Sequence, residues 1–320
     1  MRGFDDRWAD FPDYILGITR EIWEERGLGD KMRDYYAPEV IMRMPGGVSL
    51  GETAATTATV AHLHEFPDRQ LLGEDVIWSG SPEEGMLSSH RILSTATHTG
   101  DGAFGPATGA KLTYRAIADC YAKDNQISDE WLIRDNGAVV RQLGHNPETW
   151  ARAEVEAGRG GTPFTPETDV DGPYQGRGND GASGATYAGY LERLMTSEFS
   201  LIPSAWDRAC HLEYPGAQTG HGHAAADAFW LGLRAAFPSA EFTVHHVIGR
   251  EDDPMMPPRA AVRWSLWGKH DGWGAFGAPS GAQVYVMGIS HAEFGPWGLR
   301  REWVLFDETA IWKQIIMATG

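Results

Sequence analysis

His98-Thr99-Gly100-Asp101-Gly102-Ala103-Phe104-Gly105 returns 172 positions later as His270-Asp271-Gly272-Trp273-Gly274-Ala275-Phe276-Gly277. The same shift carries Glu130-Trp131 and Asp135 onto Glu302-Trp303 and Asp307. It also carries Arg91, Gly109, Ile117, Ala138 and Gln142 onto Arg263, Gly281, Ile289, Ala310 and Gln314. Upstream, Met44-Pro45-Gly46 answers to Tyr214-Pro215-Gly216 and Phe66-Pro67 to Phe237-Pro238, at shifts of 170 and 171. A register held over this distance describes one domain written twice with small insertions, and not a solenoid of short units.

Length and charge fit two globular domains. Half of a 320-residue chain is enough to bury a substantial core. The formal net charge of −17 repels phosphate backbones and anionic lipid heads, which argues against nucleic acid and membrane surfaces as partners and for small molecules. Cys120 and Cys210 fall one to each half, inside strand-like runs, as buried thiols of a reducing compartment do and a disulfide framework does not. The start, Met1-Arg2-Gly3-Phe4-Asp5-Asp6-Arg7-Trp8, has no apolar leader, and no apolar run of about 18 residues follows. The expected location is the cytoplasm.

Along the first half, Tyr14, Ile15, Ile18, Ile22 and Trp23 have helical spacing between about residues 11 and 36, and 53–65 reads as a second helix. Strands are expected at 40–44, 70–78, 86–98, 111–122 and 130–135. The second half repeats the order, with helices at about 187–199 and 223–236 and strands at 209–214, 241–249, 259–267, 283–291 and 301–307. Helices followed by an antiparallel meander predict α+β domains, each a curved antiparallel sheet with N-terminal helices enclosing a pocket. The domains are placed at 1–146 and 187–320, joined by a Gly/Pro-rich linker at 147–186.

A period of two puts Trp131, Ile133 and Asp135 on one face of the last strand and Glu130, Leu132 and Arg134 on the other; Trp303, Leu305 and Asp307 repeat the first set. An aspartate sharing its face with apolar side chains has a raised pKa and suits proton abstraction from carbon, so Asp135 and Asp307 are candidate bases. The competing reading is an N-cap for the segment that follows. His98 and His270 end strands beside the Gly-rich turns and can polarise a carbonyl or shuttle a proton, or can simply satisfy those turns. Arg91 and Arg263 can bind a substrate carboxylate or enolate, or stand exposed on the strand face. Trp131, Trp303, Phe104, Phe276, Tyr114, Met44 and Tyr214 are the expected pocket walls.

His211, His221, His223, His245 and His246 have no counterparts in the first half and no matching carboxylate or cysteine pattern, so no metal site is expected. Phosphate-loop, dinucleotide and nucleophile-elbow motifs are absent.

The run from His98 through Gly109, followed by a strand, Glu130-Trp131-x-x-x-Asp135 and Arg141-Gln142-Leu143-Gly144, resembles the SnoaL-like polyketide cyclases of the nuclear-transport-factor-like superfamily. The second half resembles them through the His270 octet, Ser280-Gly281 and Glu302-Trp303-x-x-x-Asp307 with Lys313-Gln314-Ile315, although Ala278-Pro279 replaces Pro106-Ala107. The resemblance implies cone-shaped domains, usually paired, here as an intramolecular pseudo-dimer open to further homodimerisation. It implies a cofactor-independent cyclase or isomerase in which an aspartate takes a proton next to a carbonyl and the enolate closes a ring by aldol addition. Asp135 and Asp307 match that aspartate, with His98 and His270 as helpers, a hydrophobic carbonyl-bearing molecule as substrate, and both pockets active. The alternatives are a noncatalytic binding protein and a hydratase or dehydratase on the same scaffold.

Overall fold

A computed structural model describes residues 1–320. Residues 1–145 with 164–176 form one compact unit, and 146–163 with 177–320 form the other.

The first unit opens with helix α1 (Phe11–Thr19), capped by Asp10, whose side chain accepts from the Asp13 amide. A π-helical turn (Arg20–Glu24) and helix α2 (Asp30–Tyr35) follow. Strand β1 (Tyr36–Met44) turns back as β2 (Gly47–Leu50), and helix α3 (Glu52–Glu65) crosses to the far edge of the sheet. Strands β3 (Gln70–Ser81), β4 (Gly85–Thr97), β5 (Lys111–Lys123) and β6 (Gln126–Arg134) then meander back, and helix α4 (Asn136–Gln142) closes the unit. The strand order is β2-β1-β6-β5-β4-β3. The meander is antiparallel as expected, but β1 joins β6 in parallel, so the sheet is mixed. The reason is the crossover: once α3 has carried the chain to the far edge, the returning meander delivers β6 alongside β1 in the same direction.

The Gly/Pro-rich stretch lies between two helices and has no regular structure over 157–181 beyond one isolated bridge at Gly178. Helix α5 (Pro147–Glu156), with Asn146 as its cap, belongs to the second unit, and so does helix α6 (Ala182–Met195). The second unit continues with a short helix α7 (Ile202–Ala205), the hairpin β7 (Trp206–Tyr214) and β8 (Gln218–His221), and helix α8 (Gly222–Ala236). Strands β9 (Glu241–Arg250), β10 (Arg259–Lys269), β11 (Gln283–Gly295) and β12 (Gly298–Leu305) follow, then helix α9 (Glu308–Thr319). Its order, β8-β7-β12-β11-β10-β9, repeats the first sheet, again with one parallel pair, β7 with β12. Both units are therefore α+β, as the order of helices followed by a meander predicts.

The octet itself shapes a loop. His98 N–H donates to the Ala110 carbonyl at 2.9 Å, and Thr108 and Gly109 amides donate back to the His98 carbonyl. His270, Ala282, Ser280 and Gly281 repeat the arrangement. Within the first loop, a Cβ at Gly102 would press on the Glu65 carboxylate at 2.6 Å, so glycine lets that acid sit under the turn. There it accepts from the Phe104 amide at 2.8 Å and the Ala103 amide at 3.2 Å.

Candidate active site

In the first unit the concave face of the sheet and the helices that cover it leave about 700 Å³ of free space, its open mouth included. Alternation along the strands decides which side chains enter it. From β6 come Glu130, Leu132 and Arg134; from β5 come Tyr114, Ala116, Ala118 and Cys120; from β4 come His90, Ile92 and Ser94. Ile15, Ile18 and Thr19 of α1, Trp23 of the π-turn and Thr59 of α3 form the opposite wall.

Glu130 is the one carboxylate of this lining. Tyr36 Oη donates to its Oε2 at 3.0 Å, and no protein group donates to Oε1. Burial raises its pKa above the usual carboxylate range; the Tyr36 hydrogen bond and the Arg134 charge work in the opposite direction. His90 lines the same sheet wall from β4, its Nε2 buried near Gly73 and without a hydrogen-bond partner, and burial, helped by Arg91, lowers its pKa to about 4. It is therefore a neutral imidazole at pH 7. His62 Nε2 lies 3.1 Å from Tyr114 Oη, and burial, with Arg134 and Arg69, holds its pKa well below the ordinary histidine value.

Of the residues singled out in the sequence, Tyr114 lines the cavity. Asp135 does not: its carboxylate caps α4, accepting from the Ala138 amide at 3.0 Å. Asp307 caps α9, accepting from the Thr309 amide at 2.9 Å and hydroxyl at 2.7 Å. His98 is fully buried between Thr108, whose hydroxyl is 3.1 Å from Nδ1, and Glu65, 3.3 Å from Nε2; it organises the Gly-rich loop. His270 meets Ser280 in the same way at 3.0 Å. Arg91 points to the outer side of the sheet and meets Glu74 at 3.1 Å, and Arg263 matches it in the second sheet. Trp131 lies under the Arg43 guanidinium at 4.5 Å on that same outer side. Trp303 is buried on the corresponding strand. Phe104 packs on Phe66, Phe276 on Phe237, and Met44 sits in the β1–β2 turn.

Sequence reasoning divided the two faces of β6 correctly and gave the pocket to the wrong one. Glu130, His90, Arg69, Arg134 and Tyr36 were missed, although Glu130 lay within the repeated Glu-Trp pair.

At the matching places of the second unit the interior is occupied. Trp206, opposite Leu299 as Tyr36 is opposite Ile127, is buried, and so are Trp230, seven residues before Phe237 as Thr59 is before Phe66, and Trp264, which replaces Ile92. Gly288 faces Trp264 across the sheet, where a Cβ would run into the indole. Glu302, the counterpart of Glu130, is fully enclosed: Tyr187 donates to Oε1 at 2.9 Å, and Tyr214 (2.8 Å), Trp206 and Trp230 (3.4 Å each) donate to Oε2. Burial pushes its pKa up to about 7 against those four donors. Tyr214 is thus a partner of this carboxyl, stacked on Phe229 at 3.7 Å. Around this acid the second unit packs aromatic side chains where the first unit has its cavity.

No cluster of three or more His, Cys, Asp or Glu side chains is arranged to hold a metal ion, and no helix is long and apolar enough to cross a membrane.

Comparison with known families matches residues 14–143 to the SnoaL-like polyketide cyclase profile and residues 187–300 to the SnoaL-like domain profile. Among solved structures, the chain is similar to IdmH of Streptomyces antibioticus, at 22% identity over 42% of this chain and 97% of that one, with a TM-score of 0.37. It is similar to a SnoaL-like polyketide cyclase of Agrobacterium tumefaciens at 19% identity, over 42% and 97%, with a TM-score of 0.33. TsrD of Streptomyces laurentii is 18% identical over 42% and 98%, with a TM-score of 0.35. No curated protein matches the chain.

Proposed function

Because the chain is a tandem pair of SnoaL-like domains, we propose that it is a cofactor-independent cyclase or isomerase of small carbonyl compounds whose chemistry resides in the first unit. Glu130 is the base. Its free oxygen Oε1 takes a proton from a carbon next to a carbonyl, leaving an enolate. In a substrate with a second carbonyl within reach, the enolate carbon attacks that carbonyl carbon, one C–C bond forms, and the new alkoxide takes up a proton. In this reading the Glu130 carboxyl, which holds the abstracted proton, gives it to that alkoxide, while His90, kept neutral by burial, polarises a carbonyl oxygen by hydrogen bonding.

The observation that carries this reading is a buried carboxylate of raised pKa with one oxygen held by Tyr36 and the other without a protein donor in a cavity of mixed polar and apolar lining. Desolvation strengthens such a base, and Tyr36 fixes its orientation. Asp135 and Asp307, both engaged in capping, are less suited to the role.

Deuterium exchange into the acetyl methyl group of 2-acetylnaphthalene, followed by proton NMR in D₂O, tests it. The expected result is protein-dependent exchange that Glu130→Gln reduces about 10²- to 10⁴-fold and Asp135→Asn leaves within a few-fold of wild type. Exchange that survives in Glu130→Gln overturns the assignment. Tight binding of the ketone with no exchange at all favours the noncatalytic binding protein.

A further inference from the structure

Arg69 and Arg134 both line the first-unit cavity, and neither forms an ion pair with a carboxylate. Their neighbours on the outer side of the same sheet do otherwise: Arg43 meets Asp129 at 3.0 Å, and Arg91 and Arg115 both meet Glu74, at 3.1 and 2.9 Å. A chain with 44 acidic and 27 basic residues has carboxylates to place beside every arginine, yet its pocket holds two guanidinium groups and one carboxylate. Glu130 acts on Arg134 and Glu24 on Arg69, but only from beyond ion-pair distance, and two partly desolvated like charges held this way favour an anion that pairs with them directly.

From these groups we propose that the first-unit pocket binds a carboxylate-bearing substrate, its carboxylate held between Arg69 and Arg134 and its reacting carbon directed to Glu130. The proposal rests on the active-site reading above only for the second half of that statement. The two arginines reach the spot from opposite sides. Arg69 precedes β3, whose Leu71 pairs with Ser94, while Arg134 ends β6 opposite Ala116. Tyr114, on β5 between them, touches Arg69 through its hydroxyl and adds a donor beside His62. Arg69 Nε is buried and has no hydrogen-bond partner, so that guanidinium keeps an unsatisfied donor. Burial already depresses the Arg69 pKa, with Arg134 among the further causes, which is the electrostatic condition an anion relieves.

The same strand sets a length for the ligand. Glu130 and Arg134 are four residues apart on β6, about 13 Å between their Cα atoms at the usual rise. A ligand matched to that spacing carries its carboxylate and its acidic carbon at opposite ends of a flat skeleton or a folded chain. Ile15, Ile18, Ile92 and Leu132 supply the apolar walls for such a skeleton.

Isothermal titration with 6-acetyl-2-naphthoate and with its methyl ester tests the subsite without requiring turnover. The acid is expected to bind at least tenfold more tightly than the ester. Arg134→Gln and Arg69→Gln are each expected to erase that preference while leaving ester binding within about threefold, and Arg134→Lys to restore part of it. Glu130→Gln should keep the preference, so that loss of exchange chemistry and loss of the subsite are separate results. Circular dichroism and Tm establish that each variant is folded. Equal binding of acid and ester, a preference that persists in both arginine variants, or no binding of either ligand at millimolar concentration overturns the proposal.

Discussion

The indole N–H of Trp230 points at Glu302 Oε2 from 3.4 Å, at the helix position that Thr59 holds beside the Glu130 cavity in the first unit. One exchange of residue type, repeated at Trp206 for Tyr36 and Trp264 for Ile92, converts a ligand space into a packed interior. Two copies of a domain thus keep the same strand order and the same acid and differ in the side chains packed around it.

That difference is reversible by design. Thr59→Trp should place an indole in the first cavity and abolish binding of 2-acetylnaphthalene while the circular dichroism spectrum is unchanged. In the opposite sense, Trp230→Thr removes a fully buried indole and should cost about 3–5 kcal/mol in urea unfolding. Retained binding in Thr59→Trp would show that the ligand sits elsewhere.

Glu302 predicts a pH signature. Its carboxyl titrates at about 7 in the fold, against about 4.3 when exposed. A folded value above the unfolded one means that the native state keeps its proton longer. The stability this group contributes is therefore full below about pH 4 and is lost as pH rises to about 7, on the order of 3 kcal/mol. His90 and His246, held down at about 4 and about 3 by burial, act oppositely and cost stability as pH falls below about 6.5. Subtracting the Glu302→Gln profile from that of the wild type cancels the histidines. The difference should slope downward between pH 4 and 7, and parallel profiles would contradict the assignment.

Tyr36 favours the ionised form of Glu130 through its hydrogen bond. Removing the hydroxyl in Tyr36→Phe should move the acid limb of the exchange rate to higher pH, with the plateau rate changed much less. An unmoved limb would mean that a different group supplies the base.

Asp135→Ala should behave as loss of a helix cap. The expected cost is about 1–2 kcal/mol of unfolding free energy, with ligand binding retained, because the carboxylate holds the Ala138 amide and lies outside the cavity.

The architecture was legible because the repeat fixed it twice, and the helix-then-meander order needs only local patterns. The parallel partnership of β1 with β6 was not, since register between strands far apart in sequence leaves no periodic mark. For the site, the period of two along Glu130 to Asp135 was read correctly and its inner side was not. Trp131, Ile133 and Asp135 look like a pocket face because that side is also covered. Tyr174, from the Gly/Pro-rich stretch, packs on Tyr121 at 4.7 Å and on Trp131 at 6.3 Å, and its amide donates to Asp129 at 3.1 Å. A segment of such composition gives no hint that it shields a sheet. Hydrophobicity told that the face was dry and could not tell what dried it.

The occupied interior of the second unit also decides where a ligand's free energy can go. Mass action stabilises only what binds, by about 2.7 kcal/mol at a hundredfold excess over Kd. Saturation with substrate therefore raises the resistance of residues 1–145 and 164–176 to local opening and leaves the core around Glu302 as it was. In hydrogen exchange, amides of β4, β5 and β6 should slow on ligand addition while those of β10, β11 and β12 keep their rates, so that one half of a duplicated chain reports on the ligand and the other serves as its internal clock.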